Sequence, residues 1–364
     1  MRACGRRRAF LPAVITVVAA VLAGLTGCTG SSGPPGRGSP TPVAATTAQS
    51  ASPSPSPGPA LTQEEAREAV ERYLATDDVL RAGGDLRMAL SLARDGQAAL
   101  TIAAYRSTGL RPARYAWQVE DVYVPRLERA PYWFTAVVRR TGREAEGGSG
   151  AAGKAVRGSE SRTALLTLMK QDDEARWQLS FGSLLLDGAD PPEVALDADG
   201  YATALPSRDE TIGVSPQLMP PLHATVAEEG SKGFSAGLIE PGPYTTGYSD
   251  EIAEEKQQAR HDGLDYDSIF SATQSPIFAL RTEDGGALVS YEMTRTTTLT
   301  ARLPSAPWIE VPENARWAAN DQAVSNELRI IETHQYASLV PPRDKHEPAE
   351  VIAYEGAVTR VTGR

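Results

Sequence analysis

"AVSNELRIIETHQYASLV", residues 323–340, is the stretch on which the fold turns. From Val324 onward, Leu328, Ile330, Glu332, His334 and Tyr336 fall on even positions and so share one face of an extended strand. A strand of this length belongs to a long antiparallel sheet. The titratable groups on that face admit two readings. In one, Glu332, His334 and Tyr336 line a pocket inside a curved sheet, where burial perturbs their proton affinities. In the other, the strand twists out of the core and leaves all three near solvent. Both stand at this point.

Working outward, "ALVSYEMTRTTTLTAR" (287–302) and "EVIAYEGAVTRVTG" (350–363) alternate in the same way, and "PIFALR" (276–281) precedes them across the turn Glu283-Asp284-Gly285-Gly286. Before these strands, "SPQLMPPLHATVAEEG" (215–230) and "SDEIAEEKQQARHDG" (249–263) have helical spacing, the first interrupted by Pro220-Pro221. The first half of the chain follows the same plan. Thr62 and Glu65 form a capping box, and Ala66, Ala69, Val70, Tyr73 and Leu74 make an apolar helical stripe. A second helical stretch, Asp85 to Arg106, is expected to break at Gly96. Strands follow at "RYAWQVEDVYV" (114–124), "YWFTAVVRR" (132–140), "TALLTLMK" (163–170) and "RWQLSFGSLLL" (176–186), with a long hairpin insertion, "GREAEGGSGAAGKAVRGSE" (142–160), between the second and third. The period of two places Tyr115, Trp117 and Tyr123 on one face. These aromatics, with Trp133 and Trp177 nearby, read either as core packing or as a platform for carbohydrate or peptide. The fold class is α+β: two tandem helix-plus-antiparallel-sheet domains, 61–190 and 214–364, joined by a bridge at 191–213.

The N-terminal segment supplies an address. Four arginines within residues 1–8 precede an apolar run, Leu11 to Leu25, which ends on Leu25-Thr26-Gly27-Cys28. The run is shorter than the ~20 residues that span a bilayer, and its flanks are those of a secretory signal. Leu-Thr-Gly-Cys resembles the lipobox of bacterial lipoproteins, which implies removal of residues 1–27 and lipidation of Cys28. Arg7-Arg8-Ala9-Phe10-Leu11 also resembles a twin-arginine export signal, and the two export routes stay open. Residues 28–60 hold the lipidated cysteine and a Ser/Pro/Gly-rich linker that is expected to be disordered. Cys4 leaves with the signal and Cys28 carries lipid, so no thiol remains for a disulfide. Loss of four arginines takes the formal charge from −10 to −14, which argues against a nucleic-acid partner. The expected partners are the membrane, through lipidated Cys28, and a ligand or protein of the envelope. The expected location is the outer face of the cell membrane.

Catalytic motifs are lacking. There is no G-x-S-x-G, P-loop, G-x-G-x-x-G or H-E-x-x-H, and His346-Glu347-Pro348 has a proline where a metal-binding helix would run. Asp197-Ala198-Asp199-Gly200 lacks the remaining calcium ligands and reads as an Asp-Gly turn. No metal and no cofactor is expected. With helices first and a long sheet after, twice over, behind a lipobox, the chain resembles uncharacterised actinobacterial lipoproteins with tandem domains of nuclear-transport-factor-2-like, cystatin-like cone type. The likeness rests on texture, including "GGALVSYEMTRT" and "YASLVPPR". It brings no catalytic residues. Three functions follow as expectations: a non-enzymatic binding module first, then an acid/base enzyme using Glu332 with His334, then a structural assembly lipoprotein.

Overall fold

The computed structural model describes residues 61–143, 161–303 and 308–364. The signal segment, Cys28, the linker and most of the hairpin insertion lie outside the described residues.

The chain opens with α1 (Gln63–Gly83), capped as its sequence prescribes: Glu65 N donates to Thr62 Oγ1 at 3.2 Å while the Glu65 carboxylate accepts from Thr62 N at 2.8 Å. Gly84, at φ 66°, closes the helix in the left-handed region that only glycine adopts without strain. Thr62→Ala is expected to lower stability by about 1 kcal/mol, measured by urea unfolding. Next come α2 (Leu86–Ser91) and α3 (Asp95–Arg106). The break between them falls at Leu92-Ala93-Arg94, not at Gly96, which sits in the first turn of α3. The reason is packing: a Cβ on Gly96 would overlap the buried carboxylate of Glu292, so glycine here permits close approach.

Four strands follow, β1 (Tyr115–Tyr123), β2 (Tyr132–Gly142), β3 (Ser161–Lys170) and β4 (Gln178–Leu185). The second half contributes α4 (Met219–Glu229), α5 (Gly247–His261), β5 (Leu264–Ala272), β6 (Phe278–Arg281), β7 (Ala287–Ala301), β8 (Ile309–Glu310), β9 (Ala323–Val324), β10 (Glu327–Val340) and β11 (Glu350–Gly363). Pro220 and Pro221 open α4 rather than interrupt it, since the first helical turn needs no N–H bonds.

The α+β class holds. The strands of both halves form one antiparallel sheet, ordered β1-β2-β3-β4-β11-β10-β7-β5, with β6 also on β7. The halves meet where β4 pairs β11 over two residue pairs, Leu185 with Ala353 and Leu184 with Tyr354. Gln335 of β10 reinforces this seam: its Oε1 accepts from Gly182 N at 2.9 Å and its Nε2 donates to Ser180 O at 3.1 Å. One apolar cluster draws on both halves, with Val137, Leu165 and Phe181 against Leu280, Leu288 and Ile352. α1 packs on β1, and α3 packs on β4 and β11 and reaches β10. α4 and α5 cover β5, and α4 also touches β7.

Candidate functional site

α1, α3 and the sheet border a partly open cavity of about 160 Å³. On α1 the stripe of Ala66, Ala69, Val70, Tyr73 and Leu74 continues at helical spacing onto Asp77 and Arg81, so a charged pair rides on the buried face. Arg81 Nε donates to Asp77 Oδ2 at 2.6 Å, and a second guanidinium nitrogen donates to Ala113 O at 3.1 Å. Burial raises the Asp77 pKa against the opposing pull of Arg81. α3 contributes Gln97, Leu100 and Thr101, while β1, β2, β4 and β11 contribute Trp117 with Tyr115, Arg140, Ser183 and Glu355. Arg140 lies over the Tyr115 ring at 4.4 Å. Burial raises the Glu355 pKa, and Arg140 is the foremost charge opposing it.

Five buried side-chain polar atoms have no partner among the described residues: Gln97 Oε1, Tyr105 Oη, Ser183 Oγ, Glu292 Oε2 and His334 Nε2. Two of them, on Gln97 and Ser183, belong to residues lining this cavity. Ser183 is 2% exposed, so bulk water does not serve it. An unpartnered buried polar group costs about 1–3 kcal/mol. Gln97 Oε1 packs against Gly182 on the cavity side of β4, whereas Ser183 falls on the alternate face with Phe181 and Leu185.

The aromatic face expected on β1 divides. Tyr115 and Trp117 line the cavity, with rings 5.7 Å apart and edge to face. Tyr123 does not join them. A β-bulge between Val119 and Asp121 shifts the register by one residue and turns Tyr123 to the other side of the sheet, where its hydroxyl donates to Pro192 O at 3.2 Å. Trp133 packs on Phe278 at 5.1 Å and Trp177 on Phe134 at 4.9 Å, so neither extends a platform.

Glu332, His334 and Tyr336 do share a face, in register with Arg295, Met293 and Tyr291 of β7. The near-solvent reading fails for two of them, since His334 is 2% and Tyr336 0% exposed. His334 Nδ1 bonds the Tyr336 hydroxyl at 2.8 Å, which bonds the Tyr248 hydroxyl at 3.0 Å. Glu332 stands 3.8 Å from Arg295 Nε and 4.0 Å from His334 Nε2. Rings of Tyr248, Phe270, Tyr336 and Tyr354 surround the imidazole. A Cβ on Gly356 would overlap the Tyr354 hydroxyl and come within 2.9 Å of His334 Cδ2, so these rings fill their space. Burial, helped by Arg295, pushes the His334 pKa down to about 3. Such an imidazole is a poor base near neutrality. A second histidine, His223, whose place beside Leu222 in a helix reads from sequence as a packed or partly exposed side chain, belongs to the same core and is fully buried. Its Nε2 donates to Tyr244 O at 2.7 Å, leaving Nδ1 to accept from Tyr291 Oη at 2.8 Å. The Tyr291 hydroxyl is in turn 3.0 Å from Ser338 Oγ. This is a packed polar core rather than a reaction chamber.

Elsewhere the Asp-Gly turn forms as expected. Asp197 Oδ1 accepts from the amides of Asp199 and Tyr201, and Arg126 binds Asp197 at 2.6 Å and Asp199 at 2.5 Å.

A family model described as a domain of unknown function, DUF8094, matches residues 57–363. The chain belongs to the DUF8094 family. Two uncharacterized lipoproteins of Streptomyces coelicolor are similar to this DUF8094 chain. The first is 29% identical over 344 residues, covering 90% of this chain and 88% of the relative. The second is 28% identical over 241 residues, covering 63% and 65%. No solved structure matches the DUF8094 chain. Among its described residues no helix is long and apolar enough to cross a membrane.

Proposed function

We propose that this DUF8094 protein is a lipid-anchored, non-enzymatic binding module on the outer face of the cell membrane, taking a small molecule in the cavity between α1, α3 and the sheet. The observation that carries this reading is a cavity of about 160 Å³ lined by Trp117, Arg140, Glu355 and the Asp77–Arg81 ion pair, a few polar groups converging among apolar walls. The anchor is supported by Leu25-Thr26-Gly27-Cys28 and by the lipoprotein names of the two relatives. Two acyl chains on Cys28 suffice for stable attachment, where one is marginal. Helices followed by strands in each half support two cone-like units, here sharing one sheet.

The test is ligand-observed NMR of small polar compounds against the full chain in detergent, beside Ala104→Leu, a half-buried lining position on α3. The leucine adds bulk to the cavity wall. The variant is expected to lose every cavity ligand while keeping or gaining thermal stability, as sites that trade stability for function do. Compounds that bind both proteins equally, or a complete absence of binders, would overturn the proposal.

A further inference from the structure

The segment between α4 and α5 includes Gly230-Ser231-Lys232-Gly233-Phe234-Ser235-Ala236-Gly237-Leu238-Ile239. Phe234 is 98% exposed, more than any other large apolar residue described, and Leu238 is 47% exposed. The ring is not displayed by a loose loop. Gly233 N donates to Gly230 O at 3.1 Å, Ala236 N to Gly233 O at 3.1 Å and Leu238 N to Ser235 O at 3.2 Å. The Glu229 carboxylate accepts from Phe234 N at 3.0 Å. Ser235 and Ile239 are buried, and the chain on either side of Ile239 bonds Ala349, which donates to Leu238 O at 2.9 Å and accepts from Glu240 N at 2.7 Å. A pinned loop thus turns two side chains inward and leaves Phe234 and Leu238 in water.

Leu238 continues an apolar surface, since it shares an open groove with Ile212, Val214, Leu218, Pro221 and Leu222, and Leu218 is 52% exposed. Of the charged groups on that groove, Asp209 meets Arg281 at 3.3 Å, and Glu210 and Arg343 are opposite in sign. Contiguous apolar surface of this kind marks an interaction site.

We propose that Phe234 and Leu238 insert into the interface of the bilayer that holds Cys28, a docking that rests on the lipid anchor proposed above. The tether makes the membrane the natural occupant. Residues 28–60 reach at most about 110 Å when fully extended, more than a domain of this size is wide, so this face can meet the bilayer. Attachment at Cys28 renders the second contact intramolecular, and a few apolar side chains then suffice. A free protein partner would need about 800 Å² from each side, more than one ring and two leucines offer.

Charge points the same way. Residues 230–239 hold Lys232 and no acid, in a chain of formal charge −10. Anionic lipid repels an acidic body, which confines contact to an acid-free tip. There Lys232 serves headgroup phosphates while its stem covers apolar surface. The same net charge opposes pairing with a second copy.

The experiment places the lipidated full chain in vesicles of phosphatidylcholine and phosphatidylglycerol. With Cys28 acylated the chain has no free thiol, so Ala236→Cys takes a polarity-sensitive dye at one site, and Asp321→Cys, at an exposed position, gives the reference. The 236 label is expected to be blue-shifted and shielded from an aqueous quencher, and the 321 label accessible. Phe234→Ser should lower the ratio of shielded to accessible 236 label about tenfold, the loss of one buried aromatic ring. Its thermal unfolding should not change, because the ring is exposed in the fold. Every variant should float with the vesicles. Failure to float would overturn the anchor and the docking with it. Flotation with a 236 label as accessible as the 321 label would overturn the docking alone. Shielding indifferent to Phe234→Ser would place the contact elsewhere and overturn this assignment. Shielding that fades on dilution with excess lipid would identify a second copy as the occupant and overturn it equally.

Discussion

Lowering the pH from about 6.5 to about 4 is expected to remove several kcal/mol of stability through two buried imidazoles. Burial holds His223 down to about 4 and His334 to about 3, while an imidazole in the unfolded chain titrates near 6.5. Both folded values are depressed, so across that window the unfolded chain binds protons that the folded chain refuses. Stability is therefore fully present above about pH 6.5 and falls with pH at about 1.4 kcal/mol per unit per histidine. That amounts to roughly 3 kcal/mol for each by pH 4. Asp77, Glu292, Glu332 and Glu355 oppose the trend. Burial raises their proton affinity in the fold, so they stabilise it as pH falls through their range. The decisive comparison is thus between wild type and the His223→Gln/His334→Gln double variant. Urea midpoints from pH 7 to 4 should fall more steeply in the wild type. Parallel curves would mean that the folded protein protonates both rings freely, contrary to their burial.

Gly356→Ala is expected to cost about 3 kcal/mol, at the upper end of the usual penalty for overpacking. The new methyl would overlap the Tyr354 hydroxyl and press on His334 Cδ2. Tyr354 has little room to yield, being stacked on Tyr244 at 4.2 Å and tilted against Tyr336 at 5.2 Å. Because the nearest atom is the hydroxyl, Tyr354→Phe should partly rescue the alanine variant. A double-mutant cycle would then give a coupling of about 1 kcal/mol or more between the two positions. If the single variant unfolds at the wild-type urea midpoint, the tyrosine swings aside at no cost and the rings are not a rigid set.

Much of the fold was legible where each segment's own periodicity agrees with its burial. The capping box at Thr62, the even face of β10 and the strands β2, β3, β7 and β11 are of this kind. β5 escaped because its polarity is inverted: Ser268 is 5% exposed while neighbouring Ile269 is 48% exposed. Ser268 is buried since its hydroxyl accepts from Arg295 Nε at 2.9 Å, a partner supplied by another strand. The bulge in β1 escaped for a similar reason, because register belongs to the pair of strands. The cavity was the largest omission. Its lining runs from Tyr73 to Glu355, and no window of sequence holds two of its walls. One signal was available: Asp77 and Arg81 prolong the apolar stripe of α1 by helical steps. Charges on a buried stripe ask for an enclosed polar environment, whereas the same pair on an outer face would mean little.

The two-pair seam between β4 and β11 has a mechanical corollary. A sheet spliced over so short a length opens there before it opens along its long hairpins, so amide protons of Leu184 and Leu186, which face β11, should exchange with solvent ahead of those in mid-β10. Leu184 lies on one side of that splice and Glu355 on the other, and both line the cavity. A guest held between them would act as a rivet across the splice, slowing exchange in strands it never touches.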